Sequence, residues 1–132
     1  MDRDTIYIII GVVAVILVSF LIYHFWPVST TPTFVGCYID TVELANRAIP
    51  KYGGYPVTME ECEKTAKDGG YTLFGFQYGG SQGNPITLGQ CWVGNDMKRA
   101  QQYGVAPNNS CKQIPSTNDY VGGPLVNAVY TI

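Results

Sequence analysis

Residues Thr58 to Tyr78, TMEECEKTAKDGGYTLFGFQY, change hydrophobic period half-way along. Met59, Cys62 and Ala66 fall at i, i+3 and i+7, one face of a helix. Thr58 followed by Glu61 fits the capping box, in which a hydroxyl and a carboxylate each satisfy an otherwise unbonded backbone amide. Gly69-Gly70 stops the helix. The period then falls to two, with Phe74, Phe76 and Tyr78 on one side and Leu73, Gly75 and Gln77 on the other. A helix over Thr58–Asp68 running directly into a strand over Tyr71–Tyr78 predicts an α+β domain.

Outward from this unit, Phe34–Ile39 and Leu88–Val93 read as strands, and Leu125–Ile132 as a last strand closing an antiparallel sheet. On the Leu88–Val93 strand, Cys91 and Val93 face one side and Trp92 the other. Asp40–Val57, with Pro50, Gly53-Gly54 and Pro56, reads as irregular. Asn95 is placed to cap a short second helix over Asp96–Tyr103, ended by Gly104, and Val105–Gly123 reads mostly as loop. Fourteen of the 15 glycines lie after residue 33, so the domain is loop-rich and its core thin.

Ahead of the domain, Ile6–Trp26 is 21 residues without Asp, Glu, Lys or Arg. As a helix it spans about 31 Å, the thickness of a bilayer's hydrocarbon core. Tyr7 at one end and Tyr23, His24 and Trp26 at the other suit membrane–water boundaries. The run is longer than the ~7–15 apolar residues of a signal peptide, and no clear cleavage site follows it. The expected organisation is an anchor over 1–27, with Pro27 ending its helix, a linker over 28–33 and a domain over 34–132. Pro27 to Thr33 is seven residues, at most about 25 Å when extended, which predicts a domain held at the membrane surface. Arg3 before the segment, and no basic residue after it until Arg47, place the N-terminus on the cytoplasmic or interior side.

Cys37, Cys62, Cys91 and Cys111 all follow the anchor. Four spaced cysteines predict two disulfides in an oxidising, exterior compartment, with four reduced core cysteines as the alternative. Spacing alone leaves three connectivities open. Asn108-Asn109-Ser110 is a glycosylation sequon on the same side.

The net charge of −2 gives no electrostatic footprint for nucleic acid. One histidine, His24, and no C-x-x-C pair disfavour a His-based triad or a zinc site, and no metal or cofactor is expected. Asp40, Asp96 and Asp119 exist, but nothing fixes a pair at the separation glycoside hydrolysis needs, so a non-catalytic protein is expected.

Together the motifs resemble the WSC domain, a cysteine-rich module of cell-surface proteins. The resemblance runs through Val35-Gly36-Cys37-Tyr38-Ile39-Asp40, Arg47-Ala48-Ile49, Met59-Glu60-Glu61-Cys62 and Gly70-Tyr71. It continues through Phe74-Gly75-Phe76-Gln77-Tyr78-Gly79, Gln90-Cys91-Trp92-Val93-Gly94-Asn95, Gly122-Gly123 and Asn127-Ala128-Val129-Tyr130. The family usually has two further cysteines, where this chain has Ala66 and Val93; if those two normally bond each other, their joint loss strands no thiol. The resemblance then implies the pairs Cys37–Cys111 and Cys62–Cys91, and it implies carbohydrate recognition.

Sugar rings stack on exposed aromatic faces while Asp, Asn and Gln read hydroxyls. Twelve of the 17 aromatic residues lie in the domain. Trp92 near Asn95 and Asp96 is the first candidate site, and Tyr52 and Tyr55 the second; the competing reading makes these rings core. Asp40 and Arg47 match the family pattern and read as a structural ion pair. The short linker and the few residues before the anchor do not suit a wall sensor on a long stalk. The layout also resembles membrane-associated minor capsid components of large DNA virus particles. The expected function is therefore attachment of a membrane, such as a virion membrane, to an overlying protein layer, with a membrane-proximal glycan as the alternative partner.

Overall fold

The computed structural model describes residues 1–25 and 30–132. Two compact units result, residues 1–30 and residues 31–132. The first is one helix, α1, Arg3–Phe25, long and apolar enough to cross a bilayer and with no residue buried within the protein. Asp2 starts it, its carboxylate accepting from the Thr5 amide and hydroxyl at 2.8 Å each. The helix thus begins three residues before the uncharged run. The expected boundary residue Trp26, the stop at Pro27, and Val28 and Ser29 of the linker lie outside the described residues.

The second unit is α+β. A five-stranded antiparallel sheet is built from β1 (Thr33–Ile39), β2 (Lys51–Thr58), β3 (Leu73–Gln77), β4 (Leu88–Gly94) and β7 (Val126–Thr131), in the order β1-β7-β3-β4-β2. The helix α2 (Met59–Asp68) lies between β2 and β3 in sequence, and β5 (Cys111–Gln113) and β6 (Tyr120–Gly122) form a separate antiparallel pair. The capping box forms as its residues dictate: Glu61 N donates to Thr58 Oγ1 at 3.1 Å, and Thr58 N donates to Glu61 Oε2 at 2.7 Å.

Each face of the sheet carries its own core. On one, Met59, Cys62 and Ala66 of α2 pack with Phe74, Phe76, Cys91, Val93, Ala128 and Tyr130. The Phe74 and Tyr130 rings stack at 5.0 Å. On the other, Ile49, Leu73, Trp92, Ala100 and Val129 pack under the segment that follows β1. Gly75 lies between these layers because a Cβ there would come within 2.6 Å of Ile49 Cδ1 and 2.7 Å of Asn127 Oδ1.

Two expectations about the elements are corrected. Asp40–Val57 is not wholly irregular: Lys51–Thr58 is the edge strand β2, whose register shifts once on either side of Gly54. An edge strand tolerates Pro56, which donates no ladder bond, and its bulges absorb the glycines. Gly53 also admits Cys91, whose Sγ would lie 2.7 Å from a Cβ there. The second helix shrinks to α3, Met97–Ala100, and its cap is Asp96 rather than Asn95. Val105–Gly123 is mostly loop, as expected, and carries the short β5–β6 pair. The expected last strand forms as β7 and lies between β1 and β3.

The cysteines form Cys37–Cys111, with Cα atoms 6.1 Å apart, and Cys62–Cys91, at 5.4 Å. No free cysteine remains among the described residues. The second bond ties α2 to β4 inside the first core. Ala66 and Val93 lie in that same core, 0% and 1% exposed.

Candidate functional site

Polar groups concentrate on the sheet face away from α2. Asp40, just after β1, is buried, and so is Arg47, which precedes β2. Asp40 Oδ2 accepts from Arg47 Nη1 at 2.9 Å, while Oδ1 accepts from the amides of Thr41 and Ala48 at 2.8 and 2.9 Å. One carboxylate thereby closes the turn from residue 40 to 48 and balances the guanidinium charge. Arg99 of α3 pins the outside of the same loop, donating to the carbonyls of Arg47 at 3.0 Å and Ala45 at 3.2 Å.

The Arg47 guanidinium carbon lies 4.1 Å from the centroid of the Trp92 ring. Tyr52, directly across the β2–β4 ladder, meets the same indole edge-on with centroids 5.3 Å apart. Trp92 Nε1 donates to Gln90 Oε1 at 2.8 Å. The buried Gln77 carboxamide, turned to satisfy both donors, sets its oxygen 2.7 Å from Trp92 Nε1 and 3.0 Å from Arg47 Nη1. Arg47 Nε and both amide atoms of buried Asn127 have no protein partner among the described residues.

A cleft of about 230 Å³ opens at the edge of this network, lined by Arg47, Tyr55, Tyr78, Ser81, Gln82 and Gln90. Tyr55 Oη donates to the Ser81 carbonyl and accepts from Asn84 Nδ2, both at 3.2 Å, and so braces the cleft wall. Tyr78 and Gln82 hold φ of 58° and 55°, left-handed conformations that cost about 1–3 kcal/mol each in a non-glycine residue. Guanidinium, amides, hydroxyls and aromatic edges with no uncompensated charge suit a small neutral ligand rich in hydrogen-bonding groups.

The structure brings together only part of the expected site. Trp92 is 3% exposed, its ring occupied by Arg47 and Tyr52, so it offers no open stacking face. Asn95 and Asp96 are engaged elsewhere: Asn95 Oδ1 accepts from Thr72 N at 2.9 Å, and Asp96 Oδ1 from Arg99 N at 3.0 Å. Tyr52 is 52% exposed beside the indole, and Tyr55 lies in the cleft wall. Asp40 and Arg47 form their ion pair. Asn108 is exposed in the turn before β5. Sequence reasoning missed Gln77, Tyr78, Ser81, Gln82 and Gln90. The readable signal was a glutamine ending one apolar strand and another near the start of the next, which the ladder sets opposite each other. No family model matches the chain, and no curated protein matches it.

Proposed function

We propose that this is a single-pass membrane protein whose WSC-like domain is a non-catalytic attachment module, tethering a membrane to an overlying protein assembly. One observation carries this reading. Val42 and Leu44, at 66% and 72% exposed, stand on a loop that α3 and the turn after it hold in place. Tyr103 Oη donates to the Asn46 carbonyl at 2.6 Å, and Arg99 binds Ala45 and Arg47. Exposed aliphatic side chains on braced loops suit a protein partner, whose packed contact removes them from water. The short linker supports a domain held close to the lipid. A minor capsid protein of a membrane-containing virus particle is one setting with this geometry.

The test uses the full chain in its native membrane, with a photo-crosslinking residue at Leu44. The expected result is one defined protein adduct, lost in a Val42→Asp variant that keeps both disulfides. Retention of the adduct in that variant, or crosslinking to lipid alone, overturns the reading.

A second reading, membrane-proximal glycan recognition, is favoured by the polar cleft. It moves the sugar site from Trp92 to Tyr55, Tyr78, Ser81, Gln82 and Gln90. Specific binding of the nanodisc-embedded chain on a glycan array, abolished by Gln82→Ala with Gln90→Ala, would establish it in place of the first.

A further inference from the structure

We infer that Asn108 accepts an N-linked glycan whose first N-acetylhexosamine lies over Phe34 and Val105. Three features meet at this point of the surface. Pro107 to Ser110 form a turn: Ser110 N donates to the Pro107 carbonyl at 3.2 Å, and Ser110 Oγ to the same oxygen at 2.6 Å. Asn109 takes a left-handed φ of 67°, and Asn108 is exposed at the turn's outer side. An acceptor sequon works only where its amide reaches solvent.

The turn also borders a depression of about 320 Å³, lined by Phe34, Val105, Pro107, Asn108 and Tyr120 with the Cys37–Cys111 bond beneath. Phe34 stacks on Tyr120 with centroids 4.7 Å apart yet stays 36% exposed, and Val105 is 72% exposed. A pyranose has an apolar face fitted to such a ring, and covering these side chains removes apolar area from water. Finally, disulfides form and persist in oxidising compartments such as the secretory lumen, where N-glycosylation also occurs.

The chemistry needs a lipid-diphosphate-linked oligosaccharide and its membrane transferase. Asn108 Nδ2 attacks C1 of the sugar, forming the N–C bond as the C1–O bond to the diphosphate breaks. The lipid diphosphate leaves with the bonding electrons, and one amide proton passes to the transferase's base. The modified asparagine keeps one N–H.

The experiment expresses the full chain in a eukaryotic secretory host and compares mobility with and without peptide N-glycosidase F. Wild type and Ser110→Thr shift on treatment. Asn108→Gln and Ser110→Ala run with the treated chain throughout. An unshifted wild type with both disulfides formed overturns the site. Deglycosylation also lowers the melting temperature of wild type by a few degrees, and that of a Phe34→Ala, Val105→Ser variant by less. Equal losses overturn the covering of Phe34 and Val105. The attachment reading is decided separately, by the crosslink from Leu44.

Discussion

Arg47 lies over Trp92, 4.1 Å from the ring centroid, while the same guanidinium bonds Asp40 at 2.9 Å. One cation thus closes the indole face, anchors the loop after β1 and borders the polar cleft. Asp40 and Arg47 side chains are 0% and 9% exposed, so the pair is nearly out of water. Removing one partner of such a pair strands a charge and costs about 3–5 kcal/mol. Asp40→Ala is therefore expected to lose stability on this scale, and Arg47→Met to lose the indole contact as well. Urea titration of the full chain in detergent, followed by Trp fluorescence, reads both; a loss below about 1 kcal/mol in each would show that the pair is not structural.

The two disulfides differ in burial. Cys62 and Cys91 are both 0% exposed, whereas Cys37 and Cys111 are half-buried beside a surface depression. Thiol–disulfide exchange needs access to sulfur. Graded dithiothreitol followed by alkylation and mass spectrometry should label Cys37 and Cys111 first. The bonds close spans of 74 and 29 residues, each contributing roughly 4 kcal/mol by loop entropy. Simultaneous labelling of all four cysteines would contradict the assigned difference in access.

Ala66 stands one helical turn beyond Cys62, and Val93 two residues along the strand from Cys91. Both are buried in the core that contains the Cys62–Cys91 bond. Ala66→Cys with Val93→Cys is expected to form a third disulfide on oxidative refolding and to raise the melting temperature. Non-reducing mass analysis of peptides checks it. Two free thiols after oxidation would show that the two positions do not come within bridging distance.

Tyr130 is 1% exposed; its hydroxyl donates to the Tyr120 carbonyl at 2.8 Å and accepts from the Tyr120 amide at 2.6 Å. Burial pushes its pKa up from 10.0 to about 12. The unfolded chain then releases this proton before the folded one does, so ν_U falls below ν_N and stability drops as pH rises. The contribution is complete below pH 10, declines from there and is lost by about pH 12. Melting temperatures from pH 9 to 12, taken quickly enough to limit disulfide exchange, should fall more steeply for wild type than for Tyr130→Phe. Parallel profiles would rule out Tyr130 as the source.

Some elements were legible because their signals are local. The Thr58–Glu61 capping box, the Met59/Cys62/Ala66 face and the Phe74/Phe76 alternation each fix an element within one or two turns of chain. Gly53-Gly54 and Pro56 misled for the same reason. They break regular structure in isolation, yet β4 supplies ladder bonds along Lys51–Thr58, and bulges absorb the mismatch. The β5–β6 pair escaped notice because three residues a side carry almost no periodicity. At the candidate site, Asp40 and Arg47 were readable, whereas Gln77 and Gln90 gained meaning only when the ladder set them opposite each other.

The amino-acid order alone determined a 21-residue uncharged span long enough for a bilayer, a capped helix running into an apolar strand, and cysteines confined to one side of the span. These follow from hydrophobic period and backbone hydrogen-bond demand, which act over a few residues. Only the tertiary structure decided that β7 enters between β1 and β3, that Trp92 is roofed by Arg47, and that the open polar surface is the cleft beside Gln90. Burial depends on what other segments bring to a face, and for Trp92 and Arg47 those segments lie 45 residues apart in the chain.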